Sequence, residues 1–153
     1  ATYPDYRGVG KMIGMEILPT GMEIAEEFDT LEQCWNDHDF FFFHVKKTDS
    51  MGEDGNYDGR VHKIEEVDAL IPRLVALNPD VIAITGDHST PALFKAHTWH
   101  PVPLLLWGKN VISDTREAFG EREAMNGGLG RMPGSEVMLE VLGHADKLKK
   151  MGA

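Results

Sequence analysis

Asp49 and Glu53 stand four residues apart, Asp87 and His88 are adjacent, and His97 follows nine residues later. Carboxylates together with imidazoles are the usual donors to zinc or manganese. The chemistry open to such a set is the holding of divalent ions that polarise bound oxygens. A plainer reading stands beside it, in which acids and histidines at strand ends are exposed or cap helices. Spacing alone leaves both readings open. His100, in the stretch AHTWHPVP, adds another imidazole to the same window.

Other chemistries fit less well. The stretch DSMGEDGNYDG looks superficially like a calcium loop, but its acids miss the alternate positions that such a loop requires and no glutamate closes it. The run Asp87-His88-Ser89 is not read as a nucleophilic triad, because neighbours on an extended chain point apart and triads assemble from distant segments. The glycines of GGLGR do not sit between a strand and a helix, which argues against a phosphate loop. His44 lies inside an apolar run and is either a core histidine or a partner behind the acid-rich loop. Lys46 and Lys47 either offset phosphate charge or pair with local acids. His38, His62 and His144 read as surface residues, and Cys34 as an ordinary thiol.

The elements that must position these residues are legible as periodic segments. Pro4 opens a short helix that ends near Gly14, and a second helix is expected over residues 30–37. The run DFFFFHVKK, with four consecutive phenylalanines, has strand length and reads as a strand covered on both faces. A loop, TDSMGEDGNYDG, follows it. Val61, Ile64, Val67, Ile71 and Leu74 recur at helical spacing. NPDVIAIT and VPLLLWG read as strands, and GSEVMLEVLGHADKL as a closing helix capped by Gly134 or Ser135, with its lysines in the last turn. Alternating elements predict an α/β fold, a mainly parallel sheet with helices on both faces. Such folds gather chemistry at the carboxyl ends of strands, where both acid-rich segments fall.

The totals narrow the class. The chain has 153 residues, 42% hydrophobic and 26% charged, which suits one globular domain. The net charge of −10 argues against a nucleic-acid partner. No apolar stretch is long enough to span a membrane, and ATYPDYRGVG lacks the apolar core of a signal peptide. One cysteine permits no internal disulfide and suits a cytoplasmic location.

HVKKTDSMGEDGNYDGRVHKIEEVD, VIAITGDHSTP and AHTWHPVPLLLWG together resemble the cofactor-independent phosphoglycerate mutases of the archaeal-type branch, within the alkaline phosphatase superfamily. ATYPDYRGVGKMIGM and GGLGRMPGSEVMLEVLGHADKLKK extend the resemblance over essentially the whole chain. It implies that residues 1–153 are the C-terminal part of a metal-binding phosphatase-like domain, the second half of an alkaline-phosphatase-like fold. It implies two divalent ions, manganese or zinc, with magnesium or cobalt as alternatives. Asp49 and His97 would share one ion, and Asp87 and His88 would hold the other. Glu53 stands where the family usually has a histidine and would be a ligand in its place, with the neighbouring Asp54 as its alternative, and His44, Lys46 and His100 would lie behind the ligands or near substrate. The implied reaction interconverts 3-phosphoglycerate and 2-phosphoglycerate, in glycolysis and gluconeogenesis, through a phosphoserine whose serine lies outside this chain. The fragment is then expected to be inactive by itself, to bind metal weakly, and to self-associate through an exposed sheet edge. Two alternatives are another metal-dependent phosphotransferase or hydrolase of that superfamily, of phosphonoacetate or phosphopentose type, and a non-catalytic metal-binding module.

Overall fold

The computed structural model describes residues 1–149 as two compact units. The first comprises Ala1–Asn78 and Thr90–His97, and the second Pro79–Ser89 with the chain from Thr98 onward.

In the first unit, α1 (Pro4–Met12) starts on a proline and stops before Gly14, whose φ of +86° a side chain would resist. The second helix, α2 (Ile24–Gln33), begins earlier than expected. Its start is a capping box in which Glu23 and Glu26 reciprocally satisfy backbone N–H groups, a signal that a search for Ser, Thr, Asp or Asn caps passes over. One face of α2 buries Ile24, Glu27, Phe28 and Leu31.

Residues 40–43 alternate as strand residues do. Phe41 stacks on Trp35 with ring centroids 5.3 Å apart, and Phe43 meets the Phe28 edge at 4.7 Å. Phe42 and His44 turn the other way, onto Tyr6. Both faces of the run therefore meet aromatic groups. Among the described residues, however, 40–43 make no backbone hydrogen bond to a neighbouring strand. The run is extended chain, not a member of a sheet.

The acid-rich segment is not a loop. Residues Lys47–Glu53 form α3, closed by Gly55 at φ +71°. Its glycines and acids suggest a loop, but the helix is set by contact with the rest of the unit, since Gly52 is buried within it. The long helix expected next is split into α4 (Tyr57–Asp68) and α5 (Ile71–Ala76). Pro72 lacks the N–H that a continuous helix would need, and instead sits in the first turn of α5.

In the second unit, β1 (Val81–Thr85) pairs with β2 (Leu104–Gly108). Val81 faces Gly108 and Thr85 faces Leu104, so the pairing is antiparallel. Parallel pairing needs a crossover element, and residues 86–103 contain no helix or named strand. The described residues thus form an α/β arrangement with one small two-stranded sheet, without the mainly parallel sheet expected. A short helix that the sequence reading omitted, α6 (Glu121–Ala124), precedes α7 (Val137–His144), which packs against β1. The helix α7 ends before Lys147, because Asp146 takes φ +57°, so the expected basic last turn is not helical up to Lys149. Lys150 lies outside the described residues. No helix among the described residues is long and apolar enough to cross a membrane.

Candidate metal centre

The helical state of α3 decides the geometry of the first cluster. Asp49 and Glu53 stand one helical turn apart and share a face. The segment Thr90–His97 belongs to the same unit and brings two further side chains to that face. His97 Nε2 lies 3.7 Å from Asp49 Oδ1 and 3.5 Å from Glu53 Oε1. Two donors bound tetrahedrally at zinc-like bond lengths lie about 3.4 Å apart. The spacing and the mixed carboxylate–imidazole set therefore fit a divalent cation. Asp49 is nearly enclosed, with 14% of its side chain exposed, whereas His97 and Glu53 are about half open.

Two other groups engage Asp49. The Thr90 hydroxyl donates to Oδ1 at 2.5 Å, and the Lys46 ammonium donates to Oδ2. Lys46 also lies 3.9 Å from Glu53 and over the face of Tyr3. Its hydrogen bond to Asp49 pushes the lysine pKa above its ordinary value, against the opposing effect of burial, so it stays protonated. Thr90 is only 2% exposed, and its carbonyl accepts a hydrogen bond from Arg60 Nη1. Thr90, Arg60 and Gly52 were not singled out from the sequence. The signal for them in the sequence is a glycine within a helical segment, but the acids and glycines around Gly52 have the composition of a loop.

The second unit holds Asp87 and His88. The chain bends at these residues, and the His88 backbone N–H donates to Asp87 Oδ1. The imidazole Nε2 consequently lies 3.5 Å from Asp87 Oδ2. The expectation that the two side chains diverge holds only for a straight strand, and here it fails. His100 stacks on Trp99 and contacts the Thr98 hydroxyl at 2.8 Å through Nδ1.

The remaining expected residues have ordinary surroundings. His44 stacks on Tyr6 with centroids 3.8 Å apart, inside the aromatic cluster of the first unit. Asp54 is the C-cap of α3, Lys47 pairs with Glu23, and His62 is exposed. His38 packs its edge against Phe41 and lies 3.8 Å from Glu16, and His144 lies 3.7 Å from Glu140.

Comparison with known proteins gives the cluster a context. Proteins named probable 2,3-bisphosphoglycerate-independent phosphoglycerate mutase are 58% identical in Thermotoga petrophila, 54% in Thermus thermophilus and 50% in Aquifex aeolicus. Each similarity covers 100% of this chain and 38% of the relative, so the chain spans under two fifths of those proteins' length. The structure of the PH0037 protein from Pyrococcus horikoshii superposes with a TM-score of 0.90 at 34% identity, over 95% of this chain and 47% of that one. The family model of the Metalloenzyme superfamily matches residues 9–143. This chain, with the His97 imidazole meeting the two carboxylates of α3, belongs to the Metalloenzyme superfamily.

Proposed function

We propose that this chain is the metal-binding, C-terminal part of a 2,3-bisphosphoglycerate-independent phosphoglycerate mutase. The observation that carries the reading is the approach of His97 to both Asp49 and Glu53 in a chain whose relatives carry that name. Asp49, His97 and Glu53 would hold one divalent ion, manganese or zinc, and Asp87 with His88 the other. When bound, the ions would offset the negative charge that builds on a transferring phosphoryl group. Lys46, already seated on Asp49 and close to Glu53, balances the acids before an ion arrives. It remains available as a cation for substrate phosphate once displaced.

The serine that takes the phosphoryl group from 3-phosphoglycerate and returns it to the 2-hydroxyl would come from the portion of the relatives' length not spanned here. The work of this chain is then to hold and orient, and by itself it would not catalyse the exchange. The same reading makes residues 40–43 one strand of a larger, mainly parallel sheet in the cytoplasmic enzyme of glycolysis and gluconeogenesis. Support comes from their alternating aromatic faces and their lack of ladder bonds among the described residues. Separated from those neighbours, the chain would self-associate. Phe40 and Phe42 remain 46% and 51% exposed, and Trp99 and Ile112 more so.

The test is mutase activity of a protein carrying this chain within the full length of its relatives, without added bisphosphoglycerate, before and after manganese is removed. Metal-dependent activity abolished by His97→Ala is expected. A metal-loaded protein that does not interconvert the two phosphoglycerates would refute the substrate and point to another phosphotransferase.

A further inference from the structure

We infer that Thr90 is a positioning residue for Asp49, and that Arg60 and Gly52 hold Thr90 in place. The inference rests on the reading of Asp49 as a metal ligand. An ionised carboxylate has two oxygens to place, and here each has a donor. Lys46 serves Oδ2, and the Thr90 hydroxyl serves Oδ1 at 2.5 Å, a length typical of a charge-assisted O–H···O bond. Of the two, only the lysine can be replaced by an incoming cation. It sits on a flexible stem, whereas the threonine is 2% exposed and β-branched, with few rotamers open to it. The hydroxyl therefore fixes the plane of the carboxylate while the other donor is exchangeable.

Thr90 is itself anchored from two sides. Its carbonyl accepts the hydrogen bond from Arg60 on α4. The same carbonyl oxygen presses on Gly52 of α3 so closely that a Cβ built there would lie 2.3 Å away. α3, α4 and the segment beginning at Thr90 thus meet at one peptide group, one hydrogen bond away from the ligand oxygen. Groups that hydrogen-bond a metal ligand commonly set its orientation and affinity.

The experiment is a titration with Mn²⁺ alone of a protein carrying this chain within the full length of its relatives, the free ion followed by electron paramagnetic resonance. Thermal melting of every variant is recorded alongside. Thr90→Val keeps the shape and removes the hydroxyl, and its Mn²⁺ affinity is expected to fall by about 10–100-fold. Thr90→Ser, which restores the donor, is expected to recover most of the loss. Arg60→Met is expected to weaken binding with the hydroxyl still present, and it carries the test if the valine variant does not fold. Wild-type affinity in Thr90→Val, or in a folded Arg60→Met should the former not fold, overturns the inference. Equal weakening in the valine and serine variants also overturns it, because the hydroxyl would not be the cause. An Asp49→Asn variant that binds Mn²⁺ like the wild type refutes a different statement, that Asp49 is a ligand at all.

Discussion

Replacing Gly52 by alanine sets two effects of opposite sign against each other. In an exposed helix interior the change is favourable by roughly 1 kcal/mol, because alanine loses less backbone entropy on folding. Gly52 is buried in α3, and the new Cβ would lie 2.3 Å from the Thr90 carbonyl oxygen, where ordinary contact begins at 3.4 Å. It would also sit 3.0 Å from Arg60 Nη1. The obstacle is backbone held by a hydrogen bond, not the tip of a mobile side chain, so α3 and the Thr90 segment must separate. Overpacking of this kind costs about 1–3 kcal/mol, and the upper part of that range applies here. The net expectation is a loss of about 2 kcal/mol, or a melting temperature lower by about 4–8 °C for a chain of this size. Gly8 of α1 is the control, because a Cβ there meets nothing within 4 Å. Gly8→Ala is expected to gain about 0.4–1 kcal/mol. Thermal unfolding followed by circular dichroism measures both. A Gly52→Ala protein that melts at or above the wild-type temperature would refute the close seating of Thr90 on α3.

Three further outcomes follow from other parts of the first unit. Asn56 accepts the Gly59 N–H at 2.9 Å as the N-cap of α4, so Asn56→Ala should cost about 1 kcal/mol in denaturant unfolding; an unchanged midpoint would deny the cap its role. Lys46→Met leaves Asp49 without its ammonium, so the metal-free chain should melt lower while Mn²⁺ raises its melting temperature by more than it does the wild type's; equal Mn²⁺ shifts would count against competition for the carboxylate. Burial pushes the Glu27 carboxyl above its ordinary 4.5. With the folded pKa above the unfolded one, the stabilising contribution is fully present below the unfolded pKa and is lost as pH rises through the folded value. Glu27→Gln should therefore lose less stability than the wild type as pH rises above the ordinary 4.5 in urea titrations, and a parallel loss would sink this account.

Residue types and local patterns settled a good deal of this protein. Pro4 and Gly14 bounded α1, the two β-strands of the second unit stood out as apolar runs, and the alternation of helix and strand segments gave the α/β class. The mixture of carboxylates and imidazoles pointed to cation chemistry before any geometry was known. What local pattern could not carry was anything decided by partners distant in sequence. Whether residues 47–53 coil or turn depends on the burial of Gly52 against a peptide group 38 positions away, and no window on the sequence contains both. That helix alone puts Asp49 and Glu53 on one face. The roles of Thr90 and Arg60 were invisible for the same reason, since a threonine is polar surface until packing removes water from it. The direction of strand pairing was likewise a tertiary outcome. An apolar run of strand length shows that a segment can pair, but the path of the connecting chain decides with what and in which sense.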